Sequence, residues 1–321
     1  MEHTTAEQVR IVSDRAADIA KNVQQVVVGK PEVVELAIVT LLSGGHLLLE
    51  DLPGAGKTTL ARALADSISG ASKRVQFTPD LLPSDLTGTL VFDQSTTKFS
   101  FRPGPIFANI VVADEINRAS AKTQSALLEA MEEGQHTIDG ESFPLPKPFM
   151  VVATQNPIEL DGTYRLPEAQ LDRFMIRTSL GWADLDTEVQ LIVNAGDFPK
   201  KVSPIMDTVE VGHLIQFSSM VHVSSAVAEY VARIVGATRG HGSLSLGAST
   251  RATLALVRAA KTLAAVRGAE YVAPRHVEEL APVVLSHRLR LTPDAELDRM
   301  NTSDLVRSIV DSVPAPTQRV V

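Results

Sequence analysis

Pro53-Gly54-Ala55-Gly56-Lys57-Thr58-Thr59 follows the apolar run HLLLE (46–50) and opens a helical pattern. A strand, a glycine-rich turn and a helix N-terminus in that order form a phosphate-binding loop. The glycines let backbone N–H groups approach phosphate oxygens, and the helix N-terminus adds partial positive charge. Lys57 can reach the β- and γ-phosphates, and the Thr58 hydroxyl can ligate Mg2+. The usual spacing asks for glycine at position 51, where this chain has Asp51. Aspartate tolerates left-handed backbone better than most residues, so the loop is still expected to close.

Ile110-Val111-Val112-Ala113-Asp114-Glu115 is an apolar strand that ends in two carboxylates. Such a strand delivers acids to the crevice at the carboxyl edge of an α/β sheet. Asp114 is expected to hold Mg2+ through water, and Glu115 to act as general base on the water that attacks the γ-phosphate. Two roles need two acids, because a carboxylate tied to metal is a poor base. A third strand, Val151–Thr154, leads into Gln155-Asn156-Pro157. Asn156 is the best candidate to sit between water and phosphate, with Thr154 and Gln155 as alternatives.

Two arginines could complete the site. Arg173, in Leu171-Asp172-Arg173-Phe174, could reach a neighbouring subunit as an arginine finger, or it could be a salt-bridged surface residue. Arg251 lies in the first turn of a helix capped by Ser249 or Thr250. A cation there calls for an anion, either a nucleotide phosphate or a carboxylate of the same domain.

These residues need an α/β scaffold. The pattern predicts two helices in 6–42 divided at Gly29-Lys30-Pro31, then strands at 46–50, 74–78, 110–113 and 149–154 alternating with helices at 58–68 and 120–133. Hairpins are expected at 88–101 and at 135–147, the latter turning at Asp139-Gly140. Residues 1–185 read as a nucleotide-binding core with a parallel sheet, 186–212 as a linker, 213–313 as an all-helical lid and 314–321 as a flexible tail. In the lid, Val223, Val227, Tyr230, Val231 and Ile234 form one expected stripe, and Leu254, Val257, Leu263 and Val266 another.

The chain has 321 residues, is 44% hydrophobic and 21% charged, carries a net charge of −8 and contains no cysteine. Disulfides, thiolate zinc sites and cysteine nucleophiles are therefore excluded. The acidic balance argues against a free-standing nucleic-acid binder. The start MEHTTAEQVRIVSD has acids where a secretory signal needs a basic start, and no window is apolar enough to span a membrane, so a cytoplasmic protein is expected.

Six segments together resemble the MoxR family of AAA+ ATPases: VVVGK (26–30), EDLPGAGKTTLARALA (50–65), FTPDLLPSDLTGT (77–89), FRPGPIFANIVVADEINRAS (101–120), ATQNPIELDGTYRLPEAQLDRF (153–174) and GASTRATLALVRAAK (247–261). The resemblance implies a P-loop core with a five-stranded sheet, a helix-2-insert hairpin and a pre-sensor-1 hairpin. It places Lys57 and Thr58 in Walker A, Asp114 and Glu115 in Walker B, Asn156 at sensor 1, Arg173 as arginine finger and Arg251 at sensor 2. Val28 and Gly29 match the segment that contacts adenine. Asp51 is a common variant in that family.

The implied activity is Mg2+-dependent hydrolysis of ATP to ADP at the interfaces of a hexameric ring. Chaperone-like remodelling of a protein client, with a partner carrying a von Willebrand factor A domain, would follow. Three positions depart from the family: Lys30 stands where Gln is usual, Arg165 where Pro is usual, and Arg275-His276 where a more acidic pair is usual. Arg118 and Arg165 are further candidates for trans-acting arginines. The competing readings are an ATP-dependent switch or scaffold with little turnover, and a nucleic-acid motor, for which Lys98 and Arg102 near the first hairpin leave an opening.

Overall fold

The computed structural model describes residues 4–51, 55–95, 97–156, 164, 166–193 and 201–316. Packing divides the chain into two units. One comprises Ile19–Leu166 and Thr178–Gly212; the other gathers the residues up to Asp18, Pro167–Arg177 and the chain from His213 onward.

In chain order the strands are β1 (Leu47–Glu50), β2 (Ser72–Gln76), β3 (Gly88–Asp93), β4 (Lys98–Pro103), β5 (Ile110–Asp114), β6 (Gln135–Ile138), β7 (Glu141–Pro144), β8 (Met150–Gln155) and β9 (Ile176–Thr178). The main sheet has five strands in the order β2-β5-β8-β1-β9. The pairs β2–β5, β5–β8 and β8–β1 run parallel. All five residues of β5 and the first five of β8 are buried, which is why these runs are continuously apolar rather than alternating. Ala113 pairs with Ala153, Leu49 with Thr154 and Gln76 with Asp114. That register lines up the polar ends of three strands at one edge. The fifth strand, only three residues long, carries too little pattern to be predicted at its position.

The helices α1 (Ala6–Val23), α2 (Pro31–Leu42), α3 (Lys57–Ser67), α4 (Pro83–Thr87) and α5 (Ala121–Glu133) precede β6 in the chain. Pro31 opens α2, where its missing N–H costs nothing. Ser120 caps α5 by accepting the Thr123 N–H, and Gly134 ends it in left-handed backbone. The hairpin β6–β7 turns at Asp139 and Gly140, both with positive φ. The two hairpins meet through Phe101 and Phe143, whose rings stack with centroids 4.2 Å apart. At the tip of β3–β4 a second ring pair, Phe92 and Phe99, is exposed.

The other unit contains α6 (Glu168–Leu171); α7 (Leu185–Val193) belongs to the sheet unit. Then come α8 (Thr208–Ser219), α9 (Ser225–Arg239), α10 (Thr250–Val266), α11 (Pro274–Leu285), α12 (Pro293–Leu297) and α13 (Thr302–Ser312). Val227, Tyr230, Val231 and Ile234 of α9 are buried on one stripe, as expected. The expected stripe on α10 is met at Leu263, which is buried, but not at Leu254, Val257 and Val266. Leu254 is 66% exposed, and the buried face is Ala252, Ala255, Leu256, Ala259, Ala260, Leu263 and Ala264. Small side chains on α10 let α11 pack closely, so the core face is mostly alanine, with Leu256 and Leu263 among them. The expected all-helical lid also carries a short antiparallel ribbon, β10 (Leu244–Leu246) with β11 (Arg290–Leu291). No helix among the described residues is long and apolar enough to cross a membrane.

Two histidines of the helical unit are buried. Burial, then the charges of Arg288 and Arg177, hold the His287 imidazole well below its ordinary value, against the opposing hydrogen bond to the Phe174 carbonyl. Burial and then Arg275 lower His276 as well. Both are held below their ordinary value near 6.5 in the folded state, so the unfolded state binds more protons as pH falls through it. Stability is therefore expected to fall as pH drops through about 6.5. His287→Gln keeps a donor for the Phe174 carbonyl and does not titrate. It should remove about 1.4 kcal/mol of the stability lost between roughly pH 7.5 and 5.5, measured by urea unfolding at both values.

Candidate active site

Asp51 extends β1, with its N–H bonded to the Gln155 carbonyl. Its φ is not positive, so position 51 does not use the conformational freedom of glycine. Its carboxylate accepts the N–H groups of Leu180 at 2.5 Å and Gly181 at 3.1 Å. Aspartate here ties the strand end to the segment that follows β9, a role unrelated to left-handed backbone. Leu52, Pro53 and Gly54 lie outside the described residues, so Pro53 and Gly54 are not placed.

Ala55 and Gly56 are placed. Gly56 caps α3 with φ +88°, a conformation that favours glycine. The first turn of α3 has no acidic residue and no side-chain cap, which leaves its N–H groups for an anion. The Lys57 ammonium donates to the Asp51 carbonyl at 2.5 Å. Val28, Ala55, Gly56, Thr59, Leu180 and Trp182 border a cavity of about 350 Å³. Gly29, with φ +71°, stands so close to Thr187 that a Cβ would lie 2.3 Å from its hydroxyl.

Thr58 and Asp114 come together as expected. The Thr58 hydroxyl donates to the carboxylate at 3.2–3.3 Å. Asp114 is buried, and Thr154 donates to it at 3.2 Å while accepting the Glu115 N–H at 2.9 Å. A third partner escapes sequence reasoning: Arg74 Nε lies 2.6 Å from Asp114 Oδ2. Its signal is the alternation of Arg74 and Gln76 on the strand beside β5. Gln76 Nε2 in turn donates to Glu115 Oε2 at 2.6 Å, and Arg118 Nε lies 3.2 Å from the same oxygen. Arg118, a candidate trans-acting arginine, thus pairs within its own chain. Both contacts fall on Oε2, leaving Oε1 to accept a proton from water. Glu115 has φ +57°, a strained conformation of the kind held at functional sites.

Asn156 directly follows β8 and is buried, and its carbonyl accepts from Asn117 at 3.5 Å. Arg165 lies outside the described residues. Arg173 and Arg251 belong to the helical unit. Arg173 is half-buried just beyond α6, and Arg251 is exposed in the first turn of α10. Ser249, not Thr250, caps α10, accepting the Ala252 N–H at 3.1 Å.

Asp51→Gly would remove two charge-assisted hydrogen bonds and add backbone freedom. It should cost about 2–3 kcal/mol of stability, measured by chemical unfolding. An unchanged stability would mean the Asp51 bonds contribute nothing.

Residues 46–176 match the family model described as ATPase family associated with various cellular activities, and 236–309 match the AAA lid domain. Chaperone MoxR1 of Mycobacterium tuberculosis is 42% identical, over 93% of this chain and 82% of its own. YeaC of Bacillus subtilis is 45% identical, over 93% and 94% respectively. A crystal structure of a protein from Cytophaga hutchinsonii superposes with a TM-score of 0.89 at 37% identity, covering 97% of this chain and 98% of that one. With similarity of this depth over nearly the whole chain, and with the Thr58, Asp114 and Glu115 arrangement in place, the protein belongs to the MoxR family of AAA+ ATPases.

Proposed function

We propose that the chain hydrolyses ATP at the interfaces of a homo-oligomeric ring, expected to be a hexamer, and uses the cycle to remodel a protein client. The meeting of the Thr58 hydroxyl with the Asp114 carboxylate, beside Glu115 and the start of α3, carries this reading. The cavity beside Val28 and Gly56 suits the base of ATP or ADP. Thr58 and Asp114 offer hard oxygen donors, which fit Mg2+, an ion that takes one or two protein ligands and otherwise waters and phosphate oxygens. Bound there, the ion would neutralise phosphate charge.

The chain's own groups divide the remaining work. Lys57 offsets charge on the β- and γ-phosphates. Glu115 takes a proton from the attacking water, and Asn156 orients that water. Arg173 from the next subunit offsets the charge that develops on the transferred phosphoryl group, and Arg251 meets phosphate from the helical unit. The exposed Phe92–Phe99 pair gives the first hairpin an apolar tip suited to a protein client. A von Willebrand factor A domain protein is the proposed partner. The net charge of −8 disfavours nucleic acid as the object of the cycle.

Glu115→Gln should bind ATP near wild-type affinity while turnover falls roughly 10²–10⁴-fold, by equilibrium binding and phosphate release. Turnover near wild type in that variant would end the general-base assignment. Arg173→Ala should lose on the order of 10³-fold in turnover without losing nucleotide. Mixing it with Lys57→Ala subunits should restore activity, because each variant supplies what the other lacks.

A further inference from the structure

Arg288 is a cation with almost no access to solvent: its side chain is 2% exposed. A buried guanidinium must have its donors satisfied. Here Nε pairs with Asp172 Oδ1 at 2.6 Å. One terminal nitrogen donates to the carbonyls of Asp172 at 3.1 Å and Phe174 at 2.7 Å. The other donates to the Met175 carbonyl at 3.2 Å and to the Val284 carbonyl. His287, the preceding residue, donates from Nε2 to the same Phe174 carbonyl at 2.9 Å.

Every one of these bonds outside α11 lands on residues 172–175. The residues on both sides of Arg173 are clamped, while the Arg173 N–H bonds back to Gln170 at 3.2 Å. The second carboxylate oxygen of Asp172 accepts from the Ser249 hydroxyl at 3.2 Å, and Ser249 caps the helix that carries Arg251. One carboxylate therefore joins the backbone that presents Arg173 to the first turn of α10. Burial pulls Arg288 below the usual guanidinium range, and the hydrogen bond and charge of Asp172 pull it back. A core-filling residue would not need this set of directed bonds on one four-residue segment.

We propose that Arg288, acting through Asp172 and the carbonyls of 172–175, is the positioning residue that sets Arg173 for its work on a neighbouring subunit. The proposal rests on the reading of Arg173 as a trans-acting finger. All five donors of Arg288 are taken by Asp172 and four backbone carbonyls, which leaves none for a phosphate. The segment's conformation follows from the planar fork, because five donors in a fixed plane dictate where four carbonyls and a carboxylate must stand.

Arg288→Lys keeps the charge and loses the fork. In the full chain, with MgATP, it should lower kcat at least roughly ten-fold, a fraction of what a finger contributes. Affinity for a fluorescent ATP analogue should stay within about two-fold, because the phosphate loop is untouched. The decisive readout is mixing. Lys57→Ala subunits carry an intact Arg288 and Arg173, so adding them to Arg288→Lys subunits should restore turnover of the variant's own sites. A general folding defect, or a defect in the variant's own site, would not be rescued in this way.

The mixture of Arg173→Ala with Lys57→Ala runs beside it. If that mixture recovers activity and the Arg288→Lys mixture does not, the positioning role is overturned and the finger stands. If the Arg173→Ala mixture fails, the finger reading falls and takes this proposal with it. Should Arg288→Lys melt below the assay temperature, Asp172→Asn takes its place. It removes the ion pair, keeps the side chain's size, and is expected to show the same loss and the same rescue.

Discussion

Asp114 is a buried carboxylate at the end of a fully buried strand, and the sheet unit is arranged to make that charge tolerable. A buried anion without partners would be costly enough to unfold the strand that carries it. Thr58, Thr154 and Arg74 supply three partners from three different elements. Each partner imposes a condition. The helix α3 must begin where Thr58 can reach, which requires the turn at Gly56. The strands β5 and β8 must be in register, as Ala113 opposite Ala153 shows. The strand β2 must pair at the outer side, which brings Gln76 to Glu115 along with Arg74 to Asp114. The start of α3, the Thr58–Asp114 pair and the Gln76–Glu115 contact thus follow from accommodating one charge.

The helical unit shows the opposite sign. Arg288 is its buried cation, and the groups that satisfy it are mostly backbone carbonyls. Carbonyls cannot relocate without moving the chain, so a buried guanidinium fixes main-chain geometry more strictly than a carboxylate satisfied by hydroxyls. The segment it fixes carries Arg173, and the carboxylate it pairs with reaches the cap of α10. The two units therefore solve the same problem with different materials. In one the buried charge is met mainly by side chains, in the other mainly by backbone carbonyls.

Much of this is legible in the order of residues alone. The helix start at Lys57, the acid pair after an apolar strand and the alternation of strands and helices are local patterns, and local patterns survive folding. Lys57, Thr58, Asp114 and Glu115 fall where their spacing puts them. What cannot be read is what depends on contacts between distant positions. Arg74 and Gln76 look like ordinary solvent-facing residues of an edge strand until β5 is placed beside them. Asp51 looks like a tolerated substitution for glycine until its carboxylate meets Leu180 and Gly181, 129 and 130 positions away in the chain. Leu254 looks like core because it is large and apolar. The core face of α10 is instead mostly alanine around Leu256 and Leu263, and the value of alanine lies in letting two helices approach, a property no hydropathy scale records. Arg288, finally, sits in the run His287-Arg288-Leu289-Arg290, and nothing in that run alone marks which of its cations is buried.

The central claim is that the hydrolysing site is shared between copies of the chain. The direct measurement is specific ATPase activity as a function of protein concentration, with Glu115→Gln measured in parallel to exclude contaminants. A shared site predicts a specific rate that rises steeply with concentration, reaches a plateau once the ring has assembled, and is absent from the variant. A specific rate above the variant's background that stays constant on dilution, through concentrations at which light scattering shows only monomer, would contradict the account.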